Sequence, residues 1–212
     1  MGALSKESRK FLERSTLRYS EHLDEAADWL EGRGLDLEHA RGQGLGVVRE
    51  PLAGHGQFEG RLCIPYLTDA GPVNATFRCI KDHDCKAVDN HSKYLFRKNS
   101  GTHMYGVQDL SWADEWIVVT EGEIDALTLK QIGVPAVGIS GAKKWQSHWS
   151  NVFEDFSRVY LFEDGDSAGE ELWERLSSEV SGAIRVRMPD GEDVNSMYNK
   201  QGREYLLGRF KK

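Results

Sequence analysis

The 212-residue sequence predicts an α/β fold: an open, mostly parallel sheet flanked by helices, preceded by a smaller α+β subdomain. Three observations carry that reading. The runs Trp116-Ile117-Val118-Val119-Thr120 and Arg158-Val159-Tyr160-Leu161-Phe162 are almost continuously apolar, as strands buried on both faces are. Each passes through acidic residues into a helical pattern, Glu121-Gly122-Glu123-Ile124-Asp125 after the first and Glu163-Asp164-Gly165-Asp166-Ser167 after the second. Between Arg61 and Phe96 the pattern is instead that of short strands broken by turn residues. The expected division is residues 1–110 for the first subdomain and 111–212 for the parallel sheet.

Taken in order, Ser5 to Glu31 reads as a helix that Gly32 and Gly34 end. Its basic residues Lys6, Arg9, Lys10, Arg14 and Arg18 form a solvated face, with nucleic-acid contact as the alternative. Gly42-Gln43-Gly44-Leu45-Gly46 is not a dinucleotide fingerprint, because it leads into a strand rather than opening a helix. Arg61–Tyr66 and Pro72–Ile80 pair as a hairpin around Asp69-Ala70-Gly71-Pro72. In the second half a helix over Ile124–Ile132 is stopped by Gly133, and Val134–Ile139 is the next strand. Ser140-Gly141-Ala142 then makes a turn whose amides can face a phosphate. Lys143 and Lys144 beside it are either phosphate contacts or surface residues. Trp145 and Trp149, four apart, suit a buried helix face. A helix over Gly169–Val180, a strand over Ala183–Met188, the acidic exit Pro189-Asp190-Gly191-Glu192-Asp193 and a closing helix over Ser196–Phe210 complete the chain.

In an open parallel sheet the strand C-termini share one edge, and ligands bind there. Glu121, Asp125, Asp164 and Asp166 are expected to converge at that edge, with the acidic exit at Asp193 on the same side. Crowded carboxylates repel one another, and a hard divalent cation, Mg2+ or Mn2+, resolves the repulsion. Two such ions can stabilise both the attacking and the leaving oxygen of a phosphoryl transfer. Taken singly, each of these acids also reads as a helix N-cap.

Formal net charge is −7, so no global basic field is available to hold nucleic acid tightly. A local exception is Arg78, Lys81, Lys86, Lys93, Arg97 and Lys98 with Tyr94 and Phe96 interleaved. That pattern fits a single-strand platform, with cations for phosphates and rings for bases; the alternative is a sheet edge with exposed lysines. Three cysteines, an odd number, with no signal peptide point to a reducing cytoplasm. Cys79, His83, Cys85 and His91 invite a zinc reading, but Cys-x3-His-x-Cys-x5-His matches none of the usual zinc spacings. Cys79 lies in an apolar strand, where a thiol serves as a small hydrophobe, so the sequence favours free cysteines. No apolar run approaches the ~18 to 20 residues of a membrane span.

Four blocks in order, Thr120-Glu121-Gly122-Glu123-Ile124-Asp125, Gly138-Ile139-Ser140-Gly141, Asp164-Gly165-Asp166-Ser167-Ala168-Gly169 and Pro189-Asp190-Gly191-Glu192-Asp193, resemble the TOPRIM domain of DnaG-type primases. The similarity is closest to bacterial and bacteriophage primases, and the Glu-Gly-Glu-Ile-Asp form followed by Gly141-Ala142-Lys143-Lys144 is similar to phage primase-helicases. Ahead of it, Arg33-Gly34-Leu35, Lys93-Tyr94 and Met104-Tyr105-Gly106 resemble segments of the primase catalytic core. The resemblance implies metal-dependent, template-directed synthesis of RNA primers on single-stranded DNA from ribonucleoside triphosphates. It gives Glu121, Asp164 and Asp166 catalytic roles and adds Asp125 and Asp193 to the Mg2+ or Mn2+ set. It places Arg78, Lys93 and Tyr94 on a surface for template and nucleotide phosphates, with Lys143 and Lys144 as further phosphate contacts. Two positions depart from the family: Phe96 stands where Asn is frequent, and Asn195 where a second aspartate is expected. The family's four-ligand zinc module and helicase-binding tail are not in the sequence, so a separate zinc-binding chain or a replicative helicase is an expected partner. The host cytoplasm is the expected location for a phage-encoded chain. TOPRIM endonucleases use the same acids to cleave DNA, and a non-catalytic nucleotide-binding replication adaptor is the remaining alternative.

Overall fold

The computed structural model describes residues 4–210. Two compact units divide at Gly101/Thr102.

In the first unit, α1 (Lys6–Ser20) starts at Ser5, whose hydroxyl accepts from the Ser8 amide at 3.1 Å. A 3-10 turn (Leu23–Ala26), α2 (Ala27–Gly32) and α3 (Leu37–Gly42) follow. The expected single helix over Ser5–Glu31 is therefore three pieces. The backbone of β1 (Gly46–Val47) runs against the end of α1 so closely that a Cβ on Gly46 would lie 2.2 Å from the Tyr19 carbonyl, and the chain turns there. Leu23, Ala26 and Leu30 then bury in a new direction. β2 (Leu62–Thr68), β3 (Gly71–Arg78) and β4 (Tyr94–Phe96) complete an antiparallel sheet in the order β1-β2-β3-β4. Its core joins Tyr19, Val48, Phe58, Cys63, Ala75 and Phe77, with the rings of Phe58 and Phe77 stacked at 3.8 Å.

The second unit opens with β5 (Met104–Tyr105), which pairs antiparallel with β7 (Ala136–Ile139), so residues 102–110 belong with the second sheet rather than the first. Next come β6 (Trp116–Thr120), α4 (Glu123–Gln131), β7 (Ala136–Ile139), β8 (Arg158–Glu163), α5 (Ser167–Glu179), β9 (Ala183–Arg187) and α6 (Val194–Leu207). α6 is kinked at Gly202, whose φ is 76°. Strand order is β5-β7-β6-β8-β9, and every pairing except that of β5 is parallel. Trp145 and Trp149 are buried, but they lie in and beside a 3-10 segment (Ser147–Phe153), not on an α-helix. Their rings meet edge to face at 5.9 Å within the core of this sheet.

This topology fixes where a ligand belongs. From β6 the chain crosses through α4 to β7 on one side; from β8 it crosses through α5 to β9 on the other. Neighbouring strands whose connections diverge in this way open a crevice at their C-terminal ends. Those ends are Glu121 and Asp164.

Candidate active site

The acids at the crevice fall into two kinds. Glu121 and Asp164 sit at the ends of adjacent strands, and Glu121 Oε1 accepts a hydrogen bond from the Asp164 amide at 3.2 Å. Glu121 is only 9% exposed. Burial raises its carboxyl from the ordinary 4.5 to about 7, against the Asp164 amide, which lowers it; the Asp166 and Asp125 charges raise it further. Burial likewise pushes the Asp164 carboxyl far up, and Asp125, Glu121, Asp193 and Asp166 add to the effect. The five predicted acids therefore share one electrostatic neighbourhood. Asp164 Oδ1 is buried without a hydrogen-bond partner.

Asp166 and Asp193 have a second task. Asp166 caps α5, its Oδ1 accepting from the amides of Ala168 at 2.8 Å and Gly169 at 3.1 Å. Asp193 caps α6 in a reciprocal box with Ser196. The helix-cap alternative thus holds for these two and not for Glu121 or Asp164. Asp125 lies in the first turn of α4 and accepts from the Asn195 amide at 3.0 Å. Asn195, at the position where the family has a second aspartate, is buried and its side-chain amide donates to Thr128 Oγ1 at 2.9 Å. It ties α6 to α4.

Backbone packing brings the acids together. A Cβ on Gly169 would lie 2.4 Å from the Asp164 carbonyl and 2.6 Å from Glu121 Oε1, so glycine is what lets α5 start against both strand ends. The turn after β7 closes over the same edge, with the Gly141 amide donating to the Glu121 carbonyl at 3.1 Å. Lys143 is exposed, and Lys144 is half-buried with its pKa lowered by burial. Two acids that sequence reasoning left unassigned are also buried. Glu123 accepts from Ser140 Oγ at 2.8 Å, and Glu163, fully buried, is held by Arg185 Nη2 at 2.8 Å. The signal for Glu163 was an acid alternating with Arg185 and Arg187 on neighbouring strands, which only the β8–β9 register reveals.

The predicted template residues lie on the first unit. Lys93 is exposed and Tyr94 half-buried, whereas Arg78 is only 4% exposed. Its guanidinium lies 5.1 Å from the ring centroid of Trp29 and 5.0 Å from that of Tyr94, and donates to the Tyr94 hydroxyl. Arg78 therefore packs against the ring of Tyr94 and holds its hydroxyl. Cys79, His83, Cys85 and His91, for which the spacing favoured free side chains, converge: one ligand atom from each lies within 4.8 Å of all the others. The cysteines are free thiols as expected; the sequence spacing did not show that the four groups meet, because turns set where they lie.

The fold and the acidic crevice are those of a Toprim domain, and a Toprim-like family model matches residues 118–198. The Gene 57 protein of Mycobacterium phage D29 is 32% identical over 153 residues, covering 72% of this chain and 99% of that protein. A DNA primase of Pseudomonas putida is 26% identical over 239 residues, covering 93% of this chain and 36% of the primase. The crystal structure of the Aquifex aeolicus primase, comprising its zinc-binding and RNA polymerase domains, superposes with a TM-score of 0.77 at 21% identity, covering 97% of this chain and 61% of that one. The chain belongs to one family with the phage D29 Gene 57 protein, carries a Toprim-like domain, is a homologue of the DnaG-type DNA primases, and shares the fold of the primase catalytic core. It spans about a third of the length of the DNA primases it matches.

Proposed function

We propose that the chain is a primase catalytic core that makes short RNA primers on single-stranded DNA from ribonucleoside triphosphates. The observation that carries this is the pair of buried Glu121 and half-buried Asp164, side by side at the crevice, with a buried, unsatisfied Asp164 oxygen. Among the described residues no lysine or arginine forms an ion pair with Glu121, Asp164 or Asp166. Carboxylates in that condition fit a hard divalent cation, Mg2+ or Mn2+, and fit a structural role poorly. Glu121, Asp164 and Asp166 would hold it, with Asp125 and Asp193 in support. When bound, the cation neutralises phosphate charge and draws the pKa of these acids down.

The remaining work falls to the chain's own groups. Glu121 either joins the ligands of the cation or, beside it, accepts the proton of the attacking 3′-hydroxyl. The turn after β7, with Lys143 and Lys144, supplies amide and ammonium charge for triphosphate oxygens. Lys93 meets template phosphates, and Tyr94, braced by Arg78, offers a ring for a base. Catalysis is then mostly positioning and charge neutralisation. A separate zinc-binding chain or a replicative helicase would supply start-site choice, and the work would take place in the cytoplasm. No helix among the described residues is long and apolar enough to cross a membrane.

The test is incubation with single-stranded DNA, labelled ribonucleotides and Mg2+ or Mn2+, beside a duplicate in which the DNA carries the label. Short RNA products support the assignment. Cleaved DNA without RNA would transfer it to an endonuclease, and nucleotide binding without either product to an adaptor.

A further inference from the structure

The segment joining β3 to β4 has no apolar core of its own. Lys81, Asp82, His83, Asp84, Lys86, Ala87, Val88, Asp89 and Asn90 are all exposed, and its backbone bonds are local turns, such as Ala87 N–H to the Asp84 carbonyl at 3.0 Å. A chain of this composition cannot offset its ordering entropy by burial. Yet four soft donors meet within it. Cys79 Sγ lies 3.5 Å from His83 Nε2, and His83 Nε2 lies 3.1 Å from His91 Nε2, with the two rings nearly perpendicular at 88°. Cys85 completes the set within the same 4.8 Å.

Both ends of the segment are anchored to the sheet. The Cys79 amide donates to the Lys93 carbonyl at 2.8 Å, and Arg61 Nη1 donates to the Ser92 carbonyl at 2.9 Å. Zn–S of about 2.3 Å and Zn–N of about 2.0 Å put tetrahedral ligands roughly 3.3 to 3.8 Å apart, so the most widely spaced of the four groups need to draw in by at most about 1 to 1.5 Å. Two thiols and two imidazoles are a zinc set by softness, whereas the acidic crevice suits a hard ion. All three cysteines of the chain are free thiols.

We propose that Cys79, His83, Cys85 and His91 form a closed structural zinc site that folds the β3–β4 segment. Four protein ligands leave no open position, so the ion does not take part in chemistry. Its binding energy replaces the missing core and holds Lys93 and the start of β4 at Tyr94. Zinc binding itself does not depend on the primer-synthesis reading.

The test uses the untagged full-length protein, purified without chelator, with metal content measured by atomic emission after exhaustive dialysis. One zinc per chain is expected, and exchange for cobalt should give the visible ligand-field absorption and thiolate charge-transfer bands of a tetrahedral two-thiolate site. Asp164→Asn should keep its zinc, whereas Cys85→Ser with His91→Ala should lose it. A wild-type chain that carries only substoichiometric zinc and takes up none when zinc is added overturns the proposal, as does a cobalt spectrum without thiolate bands. Both readings come from the wild-type protein, so a variant that fails to fold does not blunt them. Loss of zinc from Asp164→Asn with retention in the cysteine and histidine variant would move the ion to the acidic crevice and equally refute the assignment.

Discussion

Replacing Glu121 by glutamine removes a buried negative charge while keeping an oxygen for the Asp164 amide. In the folded protein without divalent cation, the Glu121 carboxyl titrates at about 7 instead of 4.5. A folded-state value above the unfolded one means that the unfolded chain loses this proton first as pH rises. Stability is therefore undiminished below about pH 4.5 and is lost progressively up to about pH 7. Across that interval, at about 1.4 kcal/mol per pH unit, the penalty reaches about 3 kcal/mol. Glu121→Gln escapes it. In chelator, urea unfolding of the second unit's transition should find the variant more stable by up to about 3 kcal/mol at pH 8 and level with wild type near pH 4.5. Adding Mn2+ at pH 8 should stabilise wild type strongly and the variant little. An equal difference at both pH values, or a variant less stable than wild type at pH 8, would refute the account of Glu121 as a buried, cation-seeking acid.

Three other outcomes follow from the same geometry. Gly169→Ala drives a methyl group into the Asp164 carbonyl and Glu121 Oε1, and overpacking of this kind costs about 1–3 kcal/mol; thermal unfolding should show the loss, and primer synthesis should fall with it. His55, ringed by Phe11, Phe58 and Phe77, has its pKa lowered from 6.5 to about 4 by burial, with the Arg97 charge adding to the effect. The Tyr19 hydroxyl accepts from the Leu52 amide and donates to neutral His55 Nδ1, so the first unit should lose stability as pH falls from 6.5 towards 4, and His55→Leu should flatten that dependence in urea titrations. Lys93→Ala should weaken single-strand binding across all sequences and reduce the salt slope by about 0.7 for each phosphate the lysine neutralises, measured by fluorescence anisotropy at several salt concentrations.

The two strand-to-acid junctions were legible because a buried parallel strand writes itself as an apolar run and its exit as a change of polarity. Glu121 and Asp164 could be found that way, and so could the hairpin of β2 and β3. The sequence could not separate acids that only line the crevice from acids that also cap helices, because both follow a strand; Asp166 and Asp193 are told apart from Glu121 and Asp164 by their bonds to helix amides. β5 is two residues long and carries no periodicity, so its pairing with β7 was invisible. Arg78 reads as a surface cation until Trp29, 49 positions earlier, is seen to cover it. The Cys and His quartet was obscured for a related reason: motif spacings describe loops of standard shape, and this loop is not one.

The assignment rests on the acids at the switch point doing the chemistry, and Asp164→Asn is the measurement that reaches it most directly. With folding checked by circular dichroism and single-strand binding by anisotropy, the variant should bind template as wild type does and make no RNA in Mg2+ or Mn2+. Full RNA synthesis by Asp164→Asn would contradict the account.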